Sequence, residues 1–206
     1  MSCRPSPLQN RVAPDGSLNA VAARGTLMGN RGGRLHRADG TLGRARWRSR
    51  AWIACLTEFR GRHRAVWGES YSEIFFLDEA TALAAGHRPC FECRRAEALA
   101  FAAAWGEPAP RAGEMDAVLH AERLGPRQRI AFGALPEGAI FAAAEGFHLR
   151  TERGALLWSF AGYRPARRFA AEEIVQAVTP AHVRAALAQG YRPRLHPSAA
   201  AQLSAR

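Results

Sequence analysis

Two kinds of apolar patterning alternate along the chain. Residues 51–59 (AWIACLTEF) and 71–77 (YSEIFFL) are short, dense apolar runs, the pattern of strands at least half buried. Between them, Arg60-Gly61 suits a turn into a further strand over 62–67. Residues 44–50 (RARWRSR) alternate with a period of two and predict a strand with one basic face. The spacing then becomes helical. Ala80, Leu83 and Ala84 share a face over 79–85, Asp78 stands at the N-cap position, and Gly86 sits where a glycine ends a helix. Pro89 blocks continuation, and a second helix, dense in Ala and Leu, is expected over 94–105.

Further on, residues 115–124 read as a helix, and 139–144, 147–150 and 156–160 read as short strands of a small sheet. Thr179-Pro180 is a helix start, with Gly190 as the stop, and the tail beyond Pro197 is expected to fray. Residues 1–30, rich in Pro, Gly and Asn, read as an extended arm with turns, and 106–113 (GEPAPRAG) as a linker. A Gly-aromatic-Arg-Pro pattern recurs at Gly86, Gly162 and Gly190 without a common period, so it is not a repeat array. The expected fold class is α+β. A basic β-unit over 31–105 carries a helix–turn–Cys-x-x-Cys–helix knuckle, and 114–206 forms a small sheet with flanking helices.

Charge changes this picture more than overall composition does. With 48% hydrophobic residues the chain is globular rather than disordered. No apolar run approaches the ~20 residues that span a bilayer. The stretch MSCRPSPLQNRV lacks a signal-peptide core, so a cytoplasmic protein without membrane contact is expected. The net charge is +11, and all 29 basic residues are Arg. Residues 31–64 hold ten arginines against Asp39 and Glu58, a net +8. Such a run is either a solvated basic face or the footprint of a polyanion, whose counterions clustered cations release. On a strand, Arg44, Arg46, Arg48 and Arg50 would be spaced by ~6.6–7 Å, comparable with an extended phosphate backbone. Trp47, Trp52 and Trp67 stand nearby, as stacking groups for bases or as core anchors. Arg60, Arg62 and Arg64, then Arg88 and Arg94, extend the candidate nucleic-acid surface.

The strongest chemical motif is Arg88-Pro-Cys90-Phe-Glu-Cys93-Arg94. Two thiolates two residues apart can grip one Zn²⁺, because the turn aims both sulfurs at one point while its N–H groups screen their charge. Closure needs further ligands, for which Cys55 and His63 are the candidates, followed by His36 and His87. A redox dithiol at a helix N-terminus is the alternative, but it calls for a βαβ context, and here a helix and turn precede the motif.

Residues 71–94, which end in Ala-Gly-His-Arg-Pro-Cys-Phe-Glu-Cys-Arg, resemble the zinc-binding domain of the bacterial Ada alkylation-repair proteins. The resemblance implies a strand, a short helix and a four-cysteine zinc site beside DNA, with Cys90 and Cys93 as ligands. The family's other cysteine pair, including the methyl acceptor, lies upstream of that strand, whereas residues 60–67 here contain no cysteine. Methyl transfer is therefore not implied, and Cys55 or His63 would have to complete the site. The function expected is nucleic-acid binding, DNA above all, with zinc as a structural staple. The enzymatic alternative is a nuclease or transferase in which His36, Asp116, His120 or Glu122 does acid–base work, Asp116 and His120 being four apart on one helix face. His196 and Ser198 do not make a nucleophile–base set on sequence grounds.

Overall fold

The computed structural model describes residues 5–62 and 65–204, so Cys3, His63 and Arg64 lie outside the described residues. A first six-stranded sheet is built from β1 (Gln9–Val12), β2 (Leu18–Ala20), β3 (Leu27–Asn30), β4 (Ile53–Leu56), β5 (Ile74–Phe76) and β6 (Arg88–Pro89), in the order β2-β1-β5-β3-β4-β6. The β1–β5 and β4–β6 pairs are parallel and the rest antiparallel. The arm expected over 1–30 thus contributes three short strands to this sheet. Its glycines mark close packing instead of loops: a Cβ on Gly29 would lie 2.4 Å from the Ile53 carbonyl oxygen, and one on Gly25 2.2 Å from that of Phe76.

α1 (Glu79–Ala84) follows β5, capped as its sequence predicts: the Asp78 carboxylate accepts the Thr81 N–H at 2.9 Å, and Gly86 turns the chain at φ 77°. α2 (Arg95–Ala103) and α3 (Ala112–Leu124) come next, joined by an exposed stretch at 106–109. The second sheet is wholly antiparallel. It contains β7 (Arg129–Ala131), β8 (Ile140–Ala143), β9 (Gly146–Thr151), β10 (Gly154–Ser159), β11 (Gly162–Pro165) and β12 (Ile174–Ala177), ordered β11-β10-β9-β8-β12-β7. α4 (Ala181–Ala188) and α5 (Pro197–Ser204) close the described chain.

Three expectations are corrected. Residues 44–50 form no strand: the Arg48 and Ser49 N–H groups both turn to the Arg31 carbonyl, at 2.8 and 3.2 Å, instead of building a ladder; exposure still alternates, with Arg44, Arg46, Arg48 and Arg50 all at the surface. The described part of 62–67 is turn and coil. The described tail, Pro197–Ser204, is helical and anchored, with Ala199 fully buried and the Ser198 hydroxyl accepting the Tyr163 N–H at 2.8 Å. The expected division at 106–113 is also crossed by the core. One apolar cluster joins Leu83 and Phe101 to Leu119, Phe141 and Val183, and another joins Leu77 and Ala84 to Ile140, Leu149 and Trp158.

Candidate metal centre

The sheet register brings three cysteines together. β4 and β6 pair in parallel with Ala54 opposite Pro89, and the Cys90 N–H continues the ladder to the Ala54 carbonyl at 3.0 Å. Cys90 therefore leaves β6 beside Cys55. The turn over 91–94 then swings Cys93 back, fixed by the Arg94 N–H on the Cys90 carbonyl at 3.0 Å. The ligand atoms of Cys55, Cys90 and Cys93 all lie within 4.8 Å of one another, and all three are partly buried free thiols. Sulfurs on one tetrahedral zinc, at ~2.3 Å each, stand ~3.8 Å apart, so a small contraction closes the set. Two backbone donors already face sulfur: the Glu92 N–H on Cys90 Sγ and the Leu56 N–H on Cys93 Sγ, each at 3.4 Å.

The thiols do not ionise independently. Hydrogen bonds from Cys55 and Cys93 hold the pKa of Cys90 far below the usual thiol range. Cys55 is pushed far up by its bonds to Cys90 and Cys93, and then by burial. A divalent cation favours the thiolate form of all three sulfurs, so its binding would release protons from the group. The cluster borders a cavity of about 240 Å³ whose wall includes Met28, Phe59, Tyr71 and Phe75. At its rim, Arg62 pairs with Glu92 at 2.8 Å.

The Cys-x-x-Cys turn is held from behind by two buried ion pairs. Arg88 makes a bidentate pair with Asp116 on α3, Nε to Oδ1 at 2.8 Å and Nη2 to Oδ2 at 2.9 Å. Arg94, with a fully buried side chain, lies 2.7 Å from Glu79 Oε1 on α1, an ion pair without hydrogen-bond alignment. Arg88 and Arg94 are therefore structural and leave the expected nucleic-acid surface. Arg44, Arg46, Arg48, Arg50 and Arg60 are exposed, with no ion pair among the described residues, and Arg62 is exposed but paired to Glu92.

The other sequence candidates do not converge. His36 stacks on Trp67 at 5.2 Å with its Nδ1 2.7 Å from Ser72 Oγ. His87 is fully buried between Trp52 and Phe76, and burial, then Arg31 and Arg123, push its pKa well down. Asp116 is committed to Arg88, Glu122 to His182, and His120 meets the edge of Trp47 and the Arg123 guanidinium. The cysteine trio is the one metal-type cluster of three or more His, Cys, Asp or Glu among the described residues. His196 Nδ1 does lie 2.8 Å from Ser198 Oγ, but that hydroxyl caps the Tyr163 N–H at the foot of α5. No protein-family model, no curated protein and no solved structure matches this chain.

Proposed function

We propose that this protein is a nucleic-acid-binding module whose knuckle is stapled by a structural zinc ion. The observation that carries the reading is the convergence of Cys55 from β4 with Cys90 and Cys93 from the turn after β6. Soft thiolate ligands, N–H groups facing sulfur and a half-buried setting suit zinc, and a closed structural site takes a fourth protein ligand. The sequence nominates His63, which lies outside the described residues. Support for a polyanionic partner is charge placement. Arg44, Arg46, Arg48 and Arg50 project from one irregular segment, exposed at every second residue and without ion pairs among the described residues. The test is a pair of measurements on protein purified without chelator: metal content, and binding to single- and double-stranded DNA and RNA across a salt series. The reading expects zinc near one per chain and binding that weakens steeply with salt. Metal-free protein ends the staple, and binding that ignores salt ends the polyanion surface.

A further inference from the structure

A cleft of about 400 Å³ opens where the first sheet meets α3, β12 and α4. That volume falls in the range of roughly 300–1,000 Å³ usual for small-molecule sites. Five guanidiniums border it, those of Arg31, Arg46, Arg123, Arg127 and Arg184, against two carboxylates, Asp15 and Glu122. The two carboxylates leave an excess of three positive charges. Glu122 is engaged by His182 Nδ1 at 2.8 Å, and Asp15 accepts the Ser17 N–H at 2.9 Å. None of the five arginines stands in an ion pair among the described residues.

Arg31 shows how unusual this is. Its side chain is buried, yet its partners are neutral: the Gly16 carbonyl at 2.7 Å and His87 Nε2 at 3.4 Å. Burial, then the charges of Arg123 and Arg46, lower its pKa to about 9. Arg123 donates to the Gly86 and Arg50 carbonyls, its Nε is buried without a partner, and burial lowers its pKa to about 10. Trp52 makes the arrangement tolerable, since Arg31 lies 3.8 Å and Arg123 4.2 Å from its ring centroid. Gathering like charges in this way costs free energy that an anion among them offsets.

The rest of the wall narrows the ligand. Trp52 already carries two guanidiniums, but Trp47 is half-buried, carries none among the described residues, and meets His120 edge-on at 5.3 Å at the cleft margin. The first turn of α4 is not the anion seat, because Glu122 already takes the His182 N–H there at 3.2 Å. We infer that the cleft binds a phosphorylated nucleoside, its phosphate among the guanidiniums of Arg31, Arg123 and their neighbours and its base against Trp47 and His120. Guanidiniums match phosphate oxygens in pairs, and an aromatic wall accepts the face of any base. A bare phosphate would leave that wall in water. The inference deepens the nucleic-acid reading above, naming either a free nucleotide or the phosphorylated end of a strand.

The test uses the full metal-replete chain and follows tryptophan fluorescence and heat on titration with adenosine 5′-monophosphate, adenosine and inorganic phosphate. The nucleotide is expected to saturate at least tenfold below either fragment in Kd. The R46Q/R184Q double variant, whose side chains sit at the cleft margin, is expected to raise that Kd at least tenfold with an unchanged far-UV spectrum and melting curve. In a second arm, a 5′-phosphorylated oligonucleotide that binds at least tenfold tighter than its 5′-hydroxyl twin, without nucleotide binding, assigns the site to strand ends and also supports it. Equal binding of the two oligonucleotides with no nucleotide binding overturns the cleft site while leaving the basic surface standing. Binding of no probe overturns both, and nucleotide binding that R46Q/R184Q leaves untouched overturns the cleft site.

Discussion

The thiol cluster and the arginine cleft are opposite in sign and alike in build, and the two ion pairs behind the Cys-x-x-Cys turn are the contrast to both. Arg88 and Arg94 are buried, and each has a buried carboxylate, Asp116 or Glu79, within 2.8 Å. Arg31 is as buried and has only neutral partners. Cys55, Cys90 and Cys93 press three acidic groups together, with two backbone N–H groups facing sulfur and no cation paired with them among the described residues. The difference teaches how to divide 29 chemically identical side chains. A guanidinium balanced by the protein's own carboxylate holds the fold, whereas like groups crowded without balance mark places where a ligand of opposite charge is accommodated.

The largest expected effect is on the balanced side. Arg94→Met leaves Glu79 buried against the Tyr191 hydroxyl at 2.6 Å and the Arg194 N–H at 2.9 Å, but without a cation. Urea unfolding should show a loss of about 3–5 kcal/mol, the usual result of breaking one side of a buried pair. A loss under about 1 kcal/mol would place Arg94 with the unbalanced set.

Acid should act next most strongly. Burial depresses the pKa of His87 and, less far, of His148, which stacks on Phe141. In the unfolded chain both titrate near about 6.5. Below that value only the unfolded state takes up these protons, so their contribution is complete above it and is lost as pH falls towards each folded pKa. Stability should fall by about 1.4 kcal/mol per pH unit for each histidine in that window. His87→Gln should remove about 1.4 kcal/mol per pH unit from that slope and leave the share of His148, and a flat profile in the parent chain would contradict both contributions.

Arg31→Met sharpens the contrast with Arg94. Removing an unbalanced guanidinium loses its cation–π contact of about 1–2 kcal/mol but relieves its desolvation, so the net change should stay within about 1 kcal/mol. Nucleotide binding should nevertheless disappear. Smallest of all in stability is R46Q/R48Q/R50Q, three exposed positions whose loss should leave the melting curve in place. Their effect belongs in the salt dependence of nucleic-acid binding, where the log–log slope should flatten by about two to three units.

Local chemistry was legible where a single residue determined it. Asp78 and Gly86 bounded α1, and Gly190 stopped α4 with φ 98°, because caps and left-handed glycines act within a turn. The period of two over 44–50 correctly foretold alternating exposure but not a strand, since a strand exists only through a partner's hydrogen bonds. The N-terminal strands were hidden by Gly25 and Gly29, which read as loop residues and serve close backbone approach. At the site, Cys90 and Cys93 were visible as a pair, whereas Cys55 was one candidate among several until the parallel β4–β6 register chose it. Arg123, Arg127 and Arg184 carried no signal, because the cleft gathers residues from 15 to 184 that no spacing connects.

The most direct test of the account is the zinc content of chain purified without chelator, measured by elemental analysis beside the C90S/C93S variant and H63A. About one zinc per parent chain is expected, almost none in C90S/C93S, and a weakened hold in H63A, seen as faster loss to a competing chelator. Zinc near zero in the parent, or zinc that remains after both Cys90 and Cys93 are replaced, would contradict it.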